Sequence, residues 1–289
     1  MTNRVGFSID SRQGLPIAEE LRLVRLGAEL GYASAWTPSG PDAEAFDRCL
    51  RWYRETGLRT GISVVPASGQ PPSFYAEHAR RVFSATNGTF VLGLGSGQMP
   101  HAAIGMRRYL ADLRGLLPQA EPIYLAALGP RMLSLAGEIA DGVALNWCTP
   151  ELERWSRQTV EDAARRAGRP APPLMAYIRT AVDPDRDLAR RILGQNALVY
   201  ALGPPAYRRH FERMGFADEL RRLQAGDGQP SAAFLDAVGA AGRPGEVRAQ
   251  FECLAEGLDE PVVRVLVTRP GDATSAERTL RECAPGRGT

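Results

Sequence analysis

Short runs rich in Val, Ile, Leu and Ala alternate with longer amphipathic stretches along the whole chain, and this alternation constrains the fold more than any other feature. A strand that feeds a helix, which feeds another strand, builds a parallel sheet, because a helical crossover returns the chain to the same end of its neighbour. The spacing predicts strands over Arg4–Ile9, Ala33–Thr37, Leu58–Val65, Phe90–Gly93, Ile123–Ala126, Gly142–Asn146, Leu174–Thr180 and Val262–Thr268. Helical periodicity predicts helices over Ile17–Leu30, Asp42–Thr56, Pro72–Thr86, Met99–Leu117, Pro130–Ala140 and Glu151–Ala167, and a last one over Ser275–Cys283. Eight strands in βα order make this an α/β chain, expected to close into a (β/α)8 TIM barrel. The interval 185–257 has helical periodicity, Gly/Pro breaks and no clear strand signal. It is expected to be a helical insertion between strands seven and eight of a single domain spanning 1–289.

Composition removes several function classes. All 35 basic residues are arginine, so Schiff-base chemistry, pyridoxal-phosphate attachment and the P-loop lysine are excluded. The formal charge is +2 with both signs interspersed, which leaves no basic stripe for a phosphate backbone; no nucleic-acid partner is expected. No apolar run approaches the roughly 18 residues of a membrane span, and Met1–Asp10 lacks the apolar core of a signal peptide; the expected location is the cytoplasm, away from membranes. Four cysteines and three histidines are scattered without ligand spacing, so no metal is expected.

Two strand-to-helix turns can approach a ligand with backbone alone. Gly93-Leu94-Gly95-Ser96-Gly97-Gln98 follows the fourth strand. It is no dinucleotide fingerprint: counted from Gly93 the third glycine would be Gln98, and counted from Gly95 it would be Pro100. Small residues at the C-terminal end of a barrel strand nevertheless let N–H groups reach a ligand. Ala126-Ala127-Leu128-Gly129-Pro130 is a second such turn, ending the fifth strand with Pro130 at the first helical position. The amides of Leu128, Gly129 and Arg131 there, backed by the helix dipole, make a phosphate seat. Candidate acid–base groups near strand ends are Asp10, His101 and Tyr177, and Arg179 is a candidate contact for an acidic substrate or coenzyme tail.

The segments Pro122–Trp147 (PIYLAALGPRMLSLAGEIADGVALNW) and Phe90–Gln98 (FVLGLGSGQ) resemble the bacterial luciferase-like monooxygenase superfamily, and within it the branch that uses the deazaflavin coenzyme F420. Glu19–Trp36, Leu58–Pro66 and Leu174–Gly215 extend the resemblance over most of the chain. It implies a barrel with the cofactor ring over the C-terminal strand ends, a non-proline cis peptide at Ser63-Val64 behind the ring, and a homodimer. The cofactor-binding residues it implies are Trp36, Ser63, Val64, Gly95, Ser96, Gly97, Gln98, Ala127, Leu128, Gly129 and Pro130.

Two departures bear on chemistry. Gly40 stands where several F420 members carry an acid–base His, and Gln98 stands where they carry a carboxylate. The proton relay of the sugar-phosphate-oxidising members is therefore put in doubt, and so, without lysines, is their anionic substrate site. The loop Pro118–Pro122 is also short, which opens one side of the barrel mouth. The resemblance implies an F420-dependent oxidoreductase that passes hydride to or from a small organic substrate, reducing a C=C or C=N bond, since reduction can draw its proton from water or a weak acid. An FMN-dependent monooxygenase and a non-catalytic flavin- or deazaflavin-binding barrel are the alternatives.

Overall fold

The computed structural model describes residues 4–286; Met1–Asn3, part of the N-terminal stretch read above, lie outside the described residues. The first half of the chain runs β1 (Gly6–Ser8), α1 (Ile17–Glu29), β2 (Ser34–Thr37), α2 (Glu44–Thr56), β3 (Arg59–Pro66), α3 (Pro72–Ala85), β4 (Val91–Gly95), α4 (Ala102–Leu116), β5 (Ile123–Ala126) and α5 (Pro130–Ile139). Then follow β6 (Gly142–Asn146), α6 (Pro150–Arg166), β7 (Leu174–Val182), α7 (Arg186–Ala201), α8 (Pro205–Phe211), a π-helical turn (Glu212–Phe216), α9 (Ala217–Gln224) and α10 (Ala232–Val238). The chain closes with β8 (Gly239–Gly242), α11 (Val247–Ala255), β9 (Glu260–Val265) and α12 (Ala273–Glu282).

The strands pair in parallel in the order β1 to β7, and β9 pairs with both β7 and β1, which closes an eight-stranded barrel. β8 is one strand more than the eight expected and a correction to the strandless interval expected over 185–257. It takes the edge of β7 from Arg179 to Val182, beyond Tyr177 where the pairing with β6 ends. Its sequence, Gly-Ala-Ala-Gly, has no β-branched or aromatic residue to announce a strand. α4 also starts three residues later than its periodicity predicts, because Gly97 and His101 both adopt left-handed backbone and delay the first turn.

Alternate strand residues fill the barrel, as the period of two requires. Trp36 points inward, fully buried, where its indole N–H donates to Ser34 Oγ and Glu260 Oε1, each at 2.9 Å. Glycines make room for it: a Cβ at Gly61 would run into its six-membered ring, and one at Gly142 would strike Tyr124 beside it. The larger apolar core lies between the strands and the surrounding helices. A second core joins the inserted helices to the barrel, with Trp147 from the end of β6 packed among Ala197, Ala201, Phe211 and Phe234.

Candidate active site at the barrel mouth

The C-terminal ends of the strands open into a cavity of about 940 Å³. On one side its wall is built by a mismatch between β3 and β4. Ile62 pairs with Leu92 and Val65 with Leu94, so β3 carries one residue more than its partner and bulges. The Ser63–Val64 peptide in that bulge is cis. A Cβ at Gly93 would collide with the Ile62 carbonyl oxygen, and one at Gly95 would lie 2.7 Å from Val64 Cγ2. Bare backbone on β4 is thus what lets the bulge press inward, and it brings Ser63, Val64, Gly95, Ser96, Gly97 and Gln98 into the cavity wall.

The turn after β5 forms the adjoining wall with Leu128, Gly129 and Pro130. The amides of Leu128 and Gly129 donate to no protein acceptor among the described residues, and Pro130 opens α5 behind them. Ala127 does not share this wall. It is buried, its N–H donates to the Ala144 carbonyl at 3.2 Å, and it packs in the strand–helix core, so its expected place at the cofactor is corrected. The turn is pinned from above by His210 and Arg213, which sequence reasoning missed. His210 Nε2 lies 2.8 Å from the Trp147 carbonyl and Nδ1 lies 3.2 Å from the Leu128 carbonyl, to which Arg213 also donates. Burial, opposed by these carbonyls, lowers the His210 pKa. A neutral ring has one N–H to give: with Nε2–H donating to Trp147 it ties the end of β6 to α8, while Arg213, 3.4 Å from the bare Nδ1, holds the Leu128 carbonyl.

The charged lining has one sign. Arg12, Arg131, Arg179, Arg209, Arg213 and Arg264 reach the cavity, and no Asp or Glu among the described residues does. The absence of lysine therefore does not deprive the mouth of cations, which corrects the doubt raised about an anionic site. Asp10 sits behind this lining and not in it. It accepts from Arg12 Nη2 at 2.7 Å and from Arg264. Burial raises its pKa, but the Arg12 hydrogen bonds and the Arg264 charge outweigh that and hold the carboxyl at about 2. Asp10 is accordingly an anchor for two arginines; it holds no proton to give near neutral pH.

The other candidates separate. Trp36 lies in the barrel interior beneath the mouth and does not line the cavity, because its N–H is committed to Ser34 and Glu260. His101 lies on the exposed rim at the start of α4. Tyr177, on β7, lines the cavity with its ring, while its hydroxyl is sealed away from it with no hydrogen-bond partner among the described residues. Burial pushes its pKa up to about 12 against the pull of Arg264. Two residues along the same face, Arg179 donates to Asn146 Oδ1 and stacks 3.7 Å from the centroid of Trp147. Asn146, Arg179 and Arg264 were legible in one respect: each is a polar residue that directly follows apolar residues in the C-terminal half of its strand.

Residues 105–260, more than half of the chain, match the model of the luciferase-like monooxygenase family. The chain belongs to that family. Two curated members are similar to it. The 5,10-methylenetetrahydromethanopterin reductase of Methanolobus tindarius is 28% identical over 309 aligned positions, covering 91% of this chain and 94% of the relative. The enzyme of the same name from Archaeoglobus fulgidus is 36% identical over 110 residues, a stretch of 36% of this chain and only 32% of that relative's length. Among solved structures, the coenzyme F420-dependent tetrahydromethanopterin reductase of Methanopyrus kandleri superposes with a TM-score of 0.73 at 17% identity, covering 99% of both chains. This family fold is the closed barrel described above, in which no helix among the described residues is long and apolar enough to cross a membrane.

Proposed function

We propose that this chain is an F420-dependent oxidoreductase that transfers a hydride between the deazaflavin and a small organic substrate, reducing a C=C or C=N bond. The observation that carries this reading is the pairing, in one cavity, of an inward bulge at Ser63–Val64 with a wall of arginines and free amides. A flat ring finds an apolar backing at Val64 and the side-chain-free edge at Gly95, while the acidic tail of F420 finds Leu128 and Gly129 amides, Arg131 and Arg213. The reductases named above support the choice of F420 over FMN. When bound, F420 supplies a two-electron hydride donor.

The direction follows from the protein's own groups. Oxidising an alcohol requires a positioned base. Asp10 is locked between arginines, Gln98 takes no proton, and His101 stands on the rim. Tyr177 lines the cavity only with its ring, its hydroxyl being sealed from it, so the proton that completes a reduction comes from water. We further read the chain as one domain whose insertion over 185–257 carries helices and the short strand β8, acting in the cytoplasm as a homodimer. Exposed Ile104 and Leu116 on α4 support the dimer, and a single-chain mass in light scattering would overturn it.

Fluorescence titration with F420 and with FMN, followed by anaerobic turnover of reduced F420 with a panel of enones, imines and unsaturated acids and amides, tests the reading. Expected are tighter F420 binding and oxidation of the coenzyme by members of the panel. Preferential FMN binding with oxygen consumption would identify a monooxygenase, and F420 binding without turnover a non-catalytic barrel.

A further inference from the structure

We propose that Arg179 is a substrate-anchoring residue that binds a carboxylate, so that the organic substrate of this barrel is an acid. The inference rests on the hydride-transfer reading of the mouth and names the class of molecule that faces the coenzyme there.

Arg179 is 4% exposed, lies in the cavity lining and meets no carboxylate among the described residues. A buried guanidinium is ordinarily paired, because removing a charge from water costs several kcal/mol unless an opposite charge or several acceptors replace the water. Its neighbour across the β7–β9 register, Arg264, obeys that rule: Asp10 and Ser8 both accept from it. For Arg179 the side chains supply one acceptor, Asn146 Oδ1, and two aromatic faces, with Trp147 at 3.7 Å and Tyr200 at 5.4 Å from ring centroid to guanidinium carbon. Stacked aromatics hold a guanidinium in place without consuming its N–H groups. Nε and Nη2 have no acceptor among the described residues, yet neither is among the sealed, unpartnered buried atoms; both stay open to the cavity. A planar, pre-positioned fork with free donors is the geometry that takes a carboxylate.

Position assigns the anion to the substrate and not to the coenzyme. In the ring of eight strands β7 lies four places from β3, so Arg179 stands on the wall opposite the Ser63–Val64 bulge. The free amides of Leu128 and Gly129, with Arg131 and Arg213, lie at the α5 end of the mouth and serve the coenzyme's acidic tail. A substrate gripped at Arg179 has its remaining atoms between the two walls. The ring of Tyr177, on the same face of β7, lines the cavity beside it.

The probes are crotonate and trans-cinnamate, each with its neutral primary amide, titrated calorimetrically into the coenzyme-free protein and into Arg179→Met and Arg179→Lys, with F420 affinity measured separately by fluorescence. At least one acid is expected to bind the unsubstituted protein about tenfold or more tightly than its amide. Arg179→Met should erase that preference, Arg179→Lys should restore part of it, and neither should change F420 affinity by more than about twofold. A purely structural arginine would lower the melting temperature of Arg179→Met and leave selectivity alone. Equal binding of acid and amide, an acid preference that survives Arg179→Met, or a loss confined to F420 would each overturn the proposal. If the acid preference holds while F420 is neither bound nor oxidised, the hydride reading fails and the carboxylate site stands.

Discussion

Arg179 and Arg264 interrupt the apolar runs Tyr177-Ile178-Arg179 and Val262-Val263-Arg264, and both side chains turn inward, where strand periodicity places core residues. Such an interruption is readable before any fold is known, since a charge on a buried strand face has a partner or a task. Trp36 shows the opposite case. An aromatic at a strand end is equally suited to a ligand wall and to a barrel interior, and the decision fell to Ser34 and Glu260, the latter 224 residues away in sequence. A second buried charge has a consequence for stability. Glu153 on α6 is 1% exposed, and burial, only partly offset by the Gly257 backbone and Arg157, raises its pKa to about 8. A folded pKa above the ordinary 4.5 means that the native state holds the extra proton between those values, so stability is greatest below 4.5 and falls as pH rises through 8. Glu153→Gln should therefore stabilise the fold by about 1–3 kcal/mol above pH 8 and by little near pH 5. Urea denaturation at the two pH values checks this; an equal effect at both would show that the proton is not involved.

At the scale of elements, the βα alternation was legible because each strand and helix announces itself locally. What was not legible came from pairs of elements. The β3 bulge pushes Ile62 toward β4, and only glycine at 93 accepts it, so Gly93-Leu94-Gly95 reads as a turn in sequence but continues β4 in the structure. β8 is invisible for the same kind of reason: four small residues become a strand because β7 has an edge left over where β6 ends. Two glycines then predict opposite outcomes for one substitution. Gly93→Ala sets a Cβ against the Ile62 backbone carbonyl, which cannot swing away, and should cost about 1–3 kcal/mol while weakening F420 binding. Gly115 lies in α4 with open space around its Cα, and Gly115→Ala should add about 0.5–1 kcal/mol without touching the cavity. Chemical denaturation and F420 titration of both variants separate the two effects, and a loss at Gly115 equal to that at Gly93 would refute the steric argument.

Over the whole molecule, a formal charge of +2 describes an almost neutral chain, yet its distribution is far from even. Ion pairs such as Arg81–Asp47 and Arg107–Glu138 neutralise the outer helices, whereas Arg131, Arg179, Arg209 and Arg213 converge on the mouth without carboxylate partners among the described residues. Low-dielectric walls around a cluster of one sign focus its field toward the entrance and draw anions in. The rim arginines are exposed to salt, since the screening length shrinks from about 10 Å at 0.1 M to about 3 Å at 1 M. Arg179, at 4% exposure, is shielded from that screening. F420 affinity should therefore weaken several-fold as NaCl rises from about 0.05 to 0.5 M, and Arg131→Gln together with Arg213→Gln should flatten the slope. Acid-over-amide selectivity at Arg179 should change far less over the same range. Titrations at a series of salt concentrations decide the matter: an F420 affinity indifferent to salt would mean that the arginine rim does not hold the coenzyme, and a selectivity that decays in step with it would place both anions on the same exposed charges.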